Sequence, residues 1–266
     1  MRLSFIGGGS MGEAMVAAAL AKSVSSSDEI VVCELLPKRR AHLERDYGVK
    51  TTDSDVEAIE GADLILLAVK PQDFPSVGSN LQGNLKDNQV AVSIMAGVKI
   101  EAVQKLLGHK AVVRAIPNTP AQIGEGVTVW TSTAEVKESG KVNASSVLAA
   151  LGHEVFVDNE SYIDIATAVS GSGPAYIFLV IEAFIDSAVH IGLRRELAES
   201  IVLQTVIGSA RYAQASGRHV AELKNEVTSP AGTTTEGLMV LEASGMRGAF
   251  LNAIEAAHDK AKELGS

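Results

Sequence analysis

Arg2-Leu3-Ser4-Phe5-Ile6-Gly7-Gly8-Gly9-Ser10-Met11-Gly12-Glu13-Ala14-Met15-Val16-Ala17-Ala18-Ala19-Leu20 decides the fold of this chain. A short apolar run predicts a strand. Gly7, Gly9 and Gly12 fit the spacing Gly-x-Gly-x-x-Gly, and Glu13 onward is rich in strong helix formers. Gly7 permits the tight turn, Gly9 lets backbone approach a pyrophosphate, and Gly12 lets the helix sit close to the sheet. The pyrophosphate then meets unpaired N–H groups at the positive end of that helix. The predicted cradle is Ile6, Gly7, Gly8, Gly9, Ser10, Met11 and Gly12.

Outward from this motif, short β-prone runs alternate with helical stretches to about residue 158. Residues 2–6, 30–33, 64–69 and 90–94 read as the first four strands, and 112–115, 127–130 and 154–157 continue the series. Near-continuous apolarity, as in 64–69, is expected of strands covered on both faces. The alternation predicts an α/β fold with a Rossmann-type, doubly wound parallel sheet. After Asp158-Asn159-Glu160-Ser161 the strand signal stops. Pro174 reads as the first turn of a helix, and 196–216, 220–227, 236–244 and 248–264 read as further helices. The expected organisation is a dinucleotide-binding domain, 1–159, and an all-helical C-terminal domain, 160–266.

Composition narrows the function. Of 266 residues, 46% are hydrophobic and the formal charge is −9, so a packed protein that repels nucleic acid and anionic membrane is expected. The apolar run 175–181 stops at Glu182, short of the about 20 residues a bilayer crossing needs, and reads as a buried helix. Met1 leads directly into a strand, and Cys33 is the only cysteine, so no secretory leader and no disulfide framework are expected. A reducing cytoplasm fits. Without paired cysteines, H-E-x-x-H or a His–carboxylate pair at ligand spacing, no metal site is predicted.

Glu34 ends the second strand, 22 residues after Gly12. A carboxylate there accepts hydrogen bonds from the adenosine ribose and repels a 2′-phosphate. Asp55 is a second acid for the same region, while Lys38, Arg39 and Arg40 stand a turn away as candidate phosphate receivers. Either NADH or NADPH is therefore the expected cofactor, with the acids favouring NADH. Ala68-Val69-Lys70-Pro71 closes the third predicted strand, at the rim where open α/β sheets bind ligands. Ala96 and Gly97 end the fourth with small residues suited to a passing nicotinamide.

The C-terminal half carries its own signal. Val227-Thr228-Ser229-Pro230-Ala231-Gly232-Thr233-Thr234-Thr235-Glu236-Gly237 gathers five hydroxyls around a backbone break between helices, which suits a small anionic substrate. Gly171-Ser172-Gly173 is only a broken form of the serine-nucleophile motif and lies in the wrong domain for it. Hydride transfer fits better, because the cofactor carries that chemistry. A hydroxy-acid dehydrogenase would need a Lys or His positioned to take an alcohol proton, and none so positioned is evident in the helical half. A non-catalytic dinucleotide sensor would have no use for the hydroxyl loop.

These segments, with Arg114-Ala115-Ile116-Pro117-Asn118-Thr119-Pro120 and Ser170-Gly171-Ser172-Gly173-Pro174-Ala175-Tyr176, resemble the pyrroline-5-carboxylate reductases over essentially the whole length. The resemblance implies NAD(P)H-dependent reduction of the C=N bond of Δ1-pyrroline-5-carboxylate to L-proline. It implies that Ser229, Gly232, Thr233 and Thr234 hold the substrate carboxylate, and that Thr234 also hydrogen-bonds the imine nitrogen as the catalytic residue. It further implies that the helical domain forms a homodimer, with decamers a common higher assembly. Many relatives carry Asn-Arg or a Ser-containing segment at Glu34-Leu35 and Asn at Asp55, departures that strengthen the lean to NADH. Ala231-Gly232 stands where Gly-Gly is commoner.

Overall fold

In a computed structural model of the chain, which describes residues 1–264, Leu3–Ile6 forms β1 and is buried at every position. Helix α1, Ser10–Ala21, follows at once and turns Gly12, Met15, Val16 and Ala19 onto the sheet, one helical face at spacings of three and four. β2 (Ile30–Cys33), α2 (Pro37–Tyr47), β3 (Lys50–Thr52), α3 (Asp55–Ala58) and β4 (Leu64–Leu67) come next. Then follow α4 (Phe74–Leu81), β5 (Val90–Ser93), α5 (Ile100–Leu107), β6 (Val112–Ile116), β7 (Gly126–Ser132), α6 (Glu138–Ala149) and β8 (Gly152–Phe156).

The eight strands lie in the order β3-β2-β1-β4-β5-β6-β7-β8. The chain reverses direction across the sheet beside β1, which places the glycine turn at the topological switch point. Alternate residues feed two cores: Leu64, Leu66, Val90 and Val92 enter one layer, Ile65, Leu67 and Ala91 the other. That is the period-two rule of a strand covered on both sides.

Three features depart from the sequence reading. β3 was not anticipated, since Lys50-Thr51-Thr52 is short, polar and only partly buried. β7 runs antiparallel to β6, with Val113 opposite Ser132, and β8 is parallel to β7. The connection from Ile116 to Gly126 contains one short 3-10 turn, Thr119–Ile123, too little chain for a parallel crossover. The third is a π-helical segment, Thr167–Gly171, which continues α7 (Ser161–Ala166); Pro174 stands in the first turn of the helix after it, as read.

The chain divides into two units, one of residues 1–172 with the end of the last helix from Ala257, the other Gly173–Ala256. The second unit contains α8 (Gly173–His190), α9 (Arg195–Ser216), α10 (Val220–Glu226), α11 (Thr233–Ala243) and most of α12 (Met246–Leu264). Ile185, Ala188, Ala198 and Val202 form its small core. The apolar run of α8, expected to be buried, is not: Phe178 and Leu179 are 59% and 64% exposed. By length and composition alone, Ser161–His190 is apolar enough to cross a bilayer.

Candidate functional site

β1 ends at Ile6 and α1 begins at Ser10, so the glycines alone make the turn. Gly7 has φ +109°, and a Cβ there would lie 2.7 Å from the Ala68 carbonyl oxygen. A Cβ on Gly12 would collide with the Gly7 carbonyl oxygen, so neither position tolerates a side chain. Gly9 differs: a Cβ on it would meet nothing within 4 Å. Gly9 caps α1 without a side-chain hydrogen bond, leaving the first-turn N–H groups unclaimed by a capping side chain. Close packing at 7 and 12, open space at 9 and free N–H groups fit the pyrophosphate of a dinucleotide.

A cleft of about 910 Å³ extends from this turn, lined by Ile6, Gly7, Gly9, Glu34, Asp55, Ala68, Val69 and Lys70 among others. Asp53 and Asp73 also line it, and Lys70 is its only lining cation among the described residues. Glu34 accepts the Gly8 N–H at 3.1 Å and the Leu36 N–H at 2.9 Å. Asp55 accepts the Cys33 thiol at 3.3 Å and the Asn80 amide at 2.9 Å. Burial, the hydrogen bond to Asp55 and the charges of Asp55, Glu34 and Asp53 push the Cys33 thiol up to about 12. The thiol is therefore protonated and poorly nucleophilic at neutral pH.

The basic cluster beside the cleft is already engaged. Arg39 donates through Nη2 and Nε to the Gly8 carbonyl at 2.6 and 3.2 Å, and through Nη2 to Glu13 at 2.6 Å. Arg40 donates to the Glu34 and Leu35 carbonyls at 2.7 and 3.1 Å and pairs with Asp53 at 3.1 Å. Gly8 is thus held from both ends, its N–H by Glu34 and its carbonyl by Arg39. Glu13 also receives Tyr47 Oη at 3.0 Å and lies 2.7 Å from His42 Nε2. Burial alone would raise the Glu13 carboxyl, but hydrogen bonds from Arg39, His42 and Tyr47, with the Arg39 charge, hold it below its usual range. Of the three basic residues only Lys38 is exposed.

Gly8, Ser10, Met11 and Gly12 belong to the turn and α1 without lining the cleft, and Pro71 starts the 3-10 turn Pro71–Asp73 at its rim. Ala96 and Gly97 lie in the turn after β5, outside the lining. Gly97 has φ +76°, and a Cβ there would sit 2.7 Å from that of Leu264. A left-handed turn and a close neighbour account for this glycine, beyond any need for nicotinamide passage.

Two residues that the sequence reading gave no individual role tie the far end of the sheet together. Arg114 is buried in β6 and bonds Glu160 at 2.8 Å and Asp164 at 2.7 Å, while Glu160 also accepts the Ile100 N–H at 2.8 Å. Asn118 accepts the Val127 N–H at 2.9 Å and donates to the Ser170 carbonyl at 3.1 Å. Pro174 explains the second bond. A continuous α-helix would satisfy the Ser170 carbonyl from the N–H of residue 174, and proline has none. The signal was in the sequence, as an arginine inside an apolar strand and a proline four residues after Ser170.

In the helical unit, the hydroxyl segment divides between a turn and a helix start. Gly232 donates its N–H to the Ser229 carbonyl at 3.0 Å, and Thr235 Oγ1 donates to the same oxygen at 2.7 Å. Ala231 stands at φ +56°, in the left-handed region that favours glycine, which gives a reason for the commoner Gly-Gly. Thr233, Thr234 and Thr235 form the first turn of α11, and Gly232 caps it without a side-chain bond. Ser229 is exposed, and neither the Thr233 nor the Thr234 hydroxyl has a hydrogen-bond partner among the described residues. Two free hydroxyls and unclaimed N–H groups at a helix N-terminus are donors of the kind that an anion accepts.

Residues 160–264 match the family model for pyrroline-5-carboxylate reductase dimerisation, and residues 2–97 match that for NADP oxidoreductase, coenzyme F420-dependent. The chain is 40% identical over 265 residues to the pyrroline-5-carboxylate reductase of Synechocystis, covering 100% of this chain and 98% of the relative. Among solved structures, a pyrroline-5-carboxylate reductase from Coxiella burnetii superposes with a TM-score of 0.93 at 35% identity, covering 100% of this chain and 98% of that one. The Plasmodium falciparum enzyme with NADP bound gives 0.91 at 32% identity, covering 100% and 98%.

Proposed function

The chain belongs to the pyrroline-5-carboxylate reductase family, and from this premise we propose how its own residues divide the work. The reaction is reduction of the C=N bond of Δ1-pyrroline-5-carboxylate to L-proline. A nicotinamide dinucleotide, when bound, supplies the hydride for the imine carbon. The residues of the glycine turn hold its pyrophosphate, with Ile6, Ala68, Val69 and Lys70 along the cleft and Pro71, Ala96 and Gly97 at its margins.

The start of α11 carries the substrate reading. Ser229, Gly232 and Thr233 take the substrate carboxylate, and Thr234 hydrogen-bonds the ring nitrogen. A protonated imine is already electrophilic, so positioning and charge suffice and no histidine acid is required. Exposed apolar side chains on α8, α9 and α11 favour a dimer through the helical unit, and decamers are its further assembly. The cytoplasm suits a chain whose one cysteine is an unreactive thiol.

NADH is the preferred donor. Glu34, Asp53 and Asp55 line the cleft, and the arginines nearest to it are committed to other partners. Four acids against one cation in the lining disfavour an added phosphate dianion. The test is oxidation of NADH and NADPH with pyrroline-5-carboxylate. A higher kcat/KM with NADH is expected, and no turnover with either would overturn the assignment of residues to this reaction.

A further inference from the structure

Arg39 stands in the first turn of α2, five residues after the strand-end acid Glu34. An arginine so placed is the ordinary receiver of an adenosine 2′-phosphate. Here it does not line the cleft. Its guanidinium is turned to the Gly8 carbonyl and to Glu13 on α1, with the Arg39 and Glu13 side chains 32% and 21% exposed. Glu13 in turn is fixed by Tyr47 and His42, and His42 Nδ1 lies 2.9 Å from Asp46.

We propose that Glu13 is a positioning residue for cofactor choice, which locks Arg39 in an ion pair against the glycine turn and so withholds it from a 2′-phosphate. This rests on the NADH reading above and gives it a mechanism beyond repulsion by Glu34. To reach a phosphate, Arg39 would give up three hydrogen bonds, two of them to the Gly8 carbonyl. It would also leave the Glu13 carboxylate half-buried without its charged partner. Charge-assisted bonds of this kind are the strong ones, so the arginine stays where it is. Arg40 is retained in the same way by Asp53, but that carboxylate is 67% exposed and the pair is correspondingly weaker.

The test compares E13Q, Y47F and R39M with the parent enzyme. Two quantities are measured: the NADPH/NADH ratio of kcat/KM, and by calorimetry the affinity for adenosine 2′,5′-bisphosphate relative to AMP. E13Q keeps the shape of the side chain but loses the charge that holds Arg39. It should raise both ratios about tenfold, equivalent to one hydrogen bond to a charged group, through a lower KM for NADPH with kcat unchanged. The gain should vanish in E13Q/R39M. Y47F removes one contact to Glu13 without freeing Arg39 and should leave both ratios unchanged. Independently of whether E13Q folds, R39M alone should not weaken 2′-phosphate binding relative to AMP, because the arginine is withheld in the parent.

An unchanged ratio in E13Q, a gain that survives R39M, or a selective loss of 2′-phosphate affinity in R39M would each overturn the lock. A parent enzyme that prefers NADPH would overturn the cofactor reading instead, and the response of E13Q would still decide the lock.

Discussion

At the scale of single residues, the proposed binding and chemical roles fall on different side chains. Glu34 and Arg39 hold Gly8 from its two ends, and Glu13 holds Arg39. Thr234 is different, because its hydroxyl is free at the start of α11. Thr234→Ala should lower kcat about a hundredfold, the scale of losing one donor aimed at a reacting centre. KM for NADH should change little, since the cradle lies in the other unit. Steady-state kinetics with both substrates varied separate the two; an equal loss in NADH affinity would contradict the place assigned to Thr234. The engagement of Arg39 and Arg40 was not legible in sequence. Their partners Glu13 and Asp53 lie 26 and 13 residues away, and only the folded chain decides whether a basic run faces a ligand or an acid.

At the scale of elements, most of the architecture was written in the periodicity. Seven of the eight strands came from apolar runs, because burial on both faces leaves an unbroken apolar signature. Helix α9 likewise ends at Ser216, as read, before Gly217 in a left-handed cap. β3 escaped because an edge strand of Lys and Thr gives no such signal, and the direction of β7 depended on connection length rather than composition. The π-helical turn escaped for another reason. Nothing in Thr167–Gly171 demands it until Pro174 is seen to leave the Ser170 carbonyl unpaired and Asn118 is seen to answer it. Asn118→Asp keeps the acceptor for Val127 but loses the donor for Ser170. It should cost about 1–3 kcal/mol, the penalty of one unsatisfied buried group, and Asn118→Ala, which removes both, should cost more. Urea unfolding of the two variants against the parent reads this order, and equal midpoints in all three would remove Asn118 from the account.

At the scale of the whole molecule, the two units differ in how they bury their apolar surface. The sheet unit fills two cores with its own side chains. The helical unit buries four hydrophobic residues in its core and leaves Ile177, Phe178, Leu179, Met239, Val240 and Leu241 exposed. A family dimerisation region covers these residues, so stability should depend on subunit concentration. Each tenfold rise in protein should add about 1.4 kcal/mol per dimer to the unfolding free energy. The urea midpoint measured over a hundredfold range of concentration should climb accordingly; a constant midpoint would mean that the helical unit holds without a second chain. The same exposed faces set the fate of a newly made chain. Until it meets a second copy it presents to chaperones and proteases the apolar surface they recognise. The yield of folded protein in a cell then depends on how quickly partners meet, and a modest fall in synthesis removes more than its proportional share.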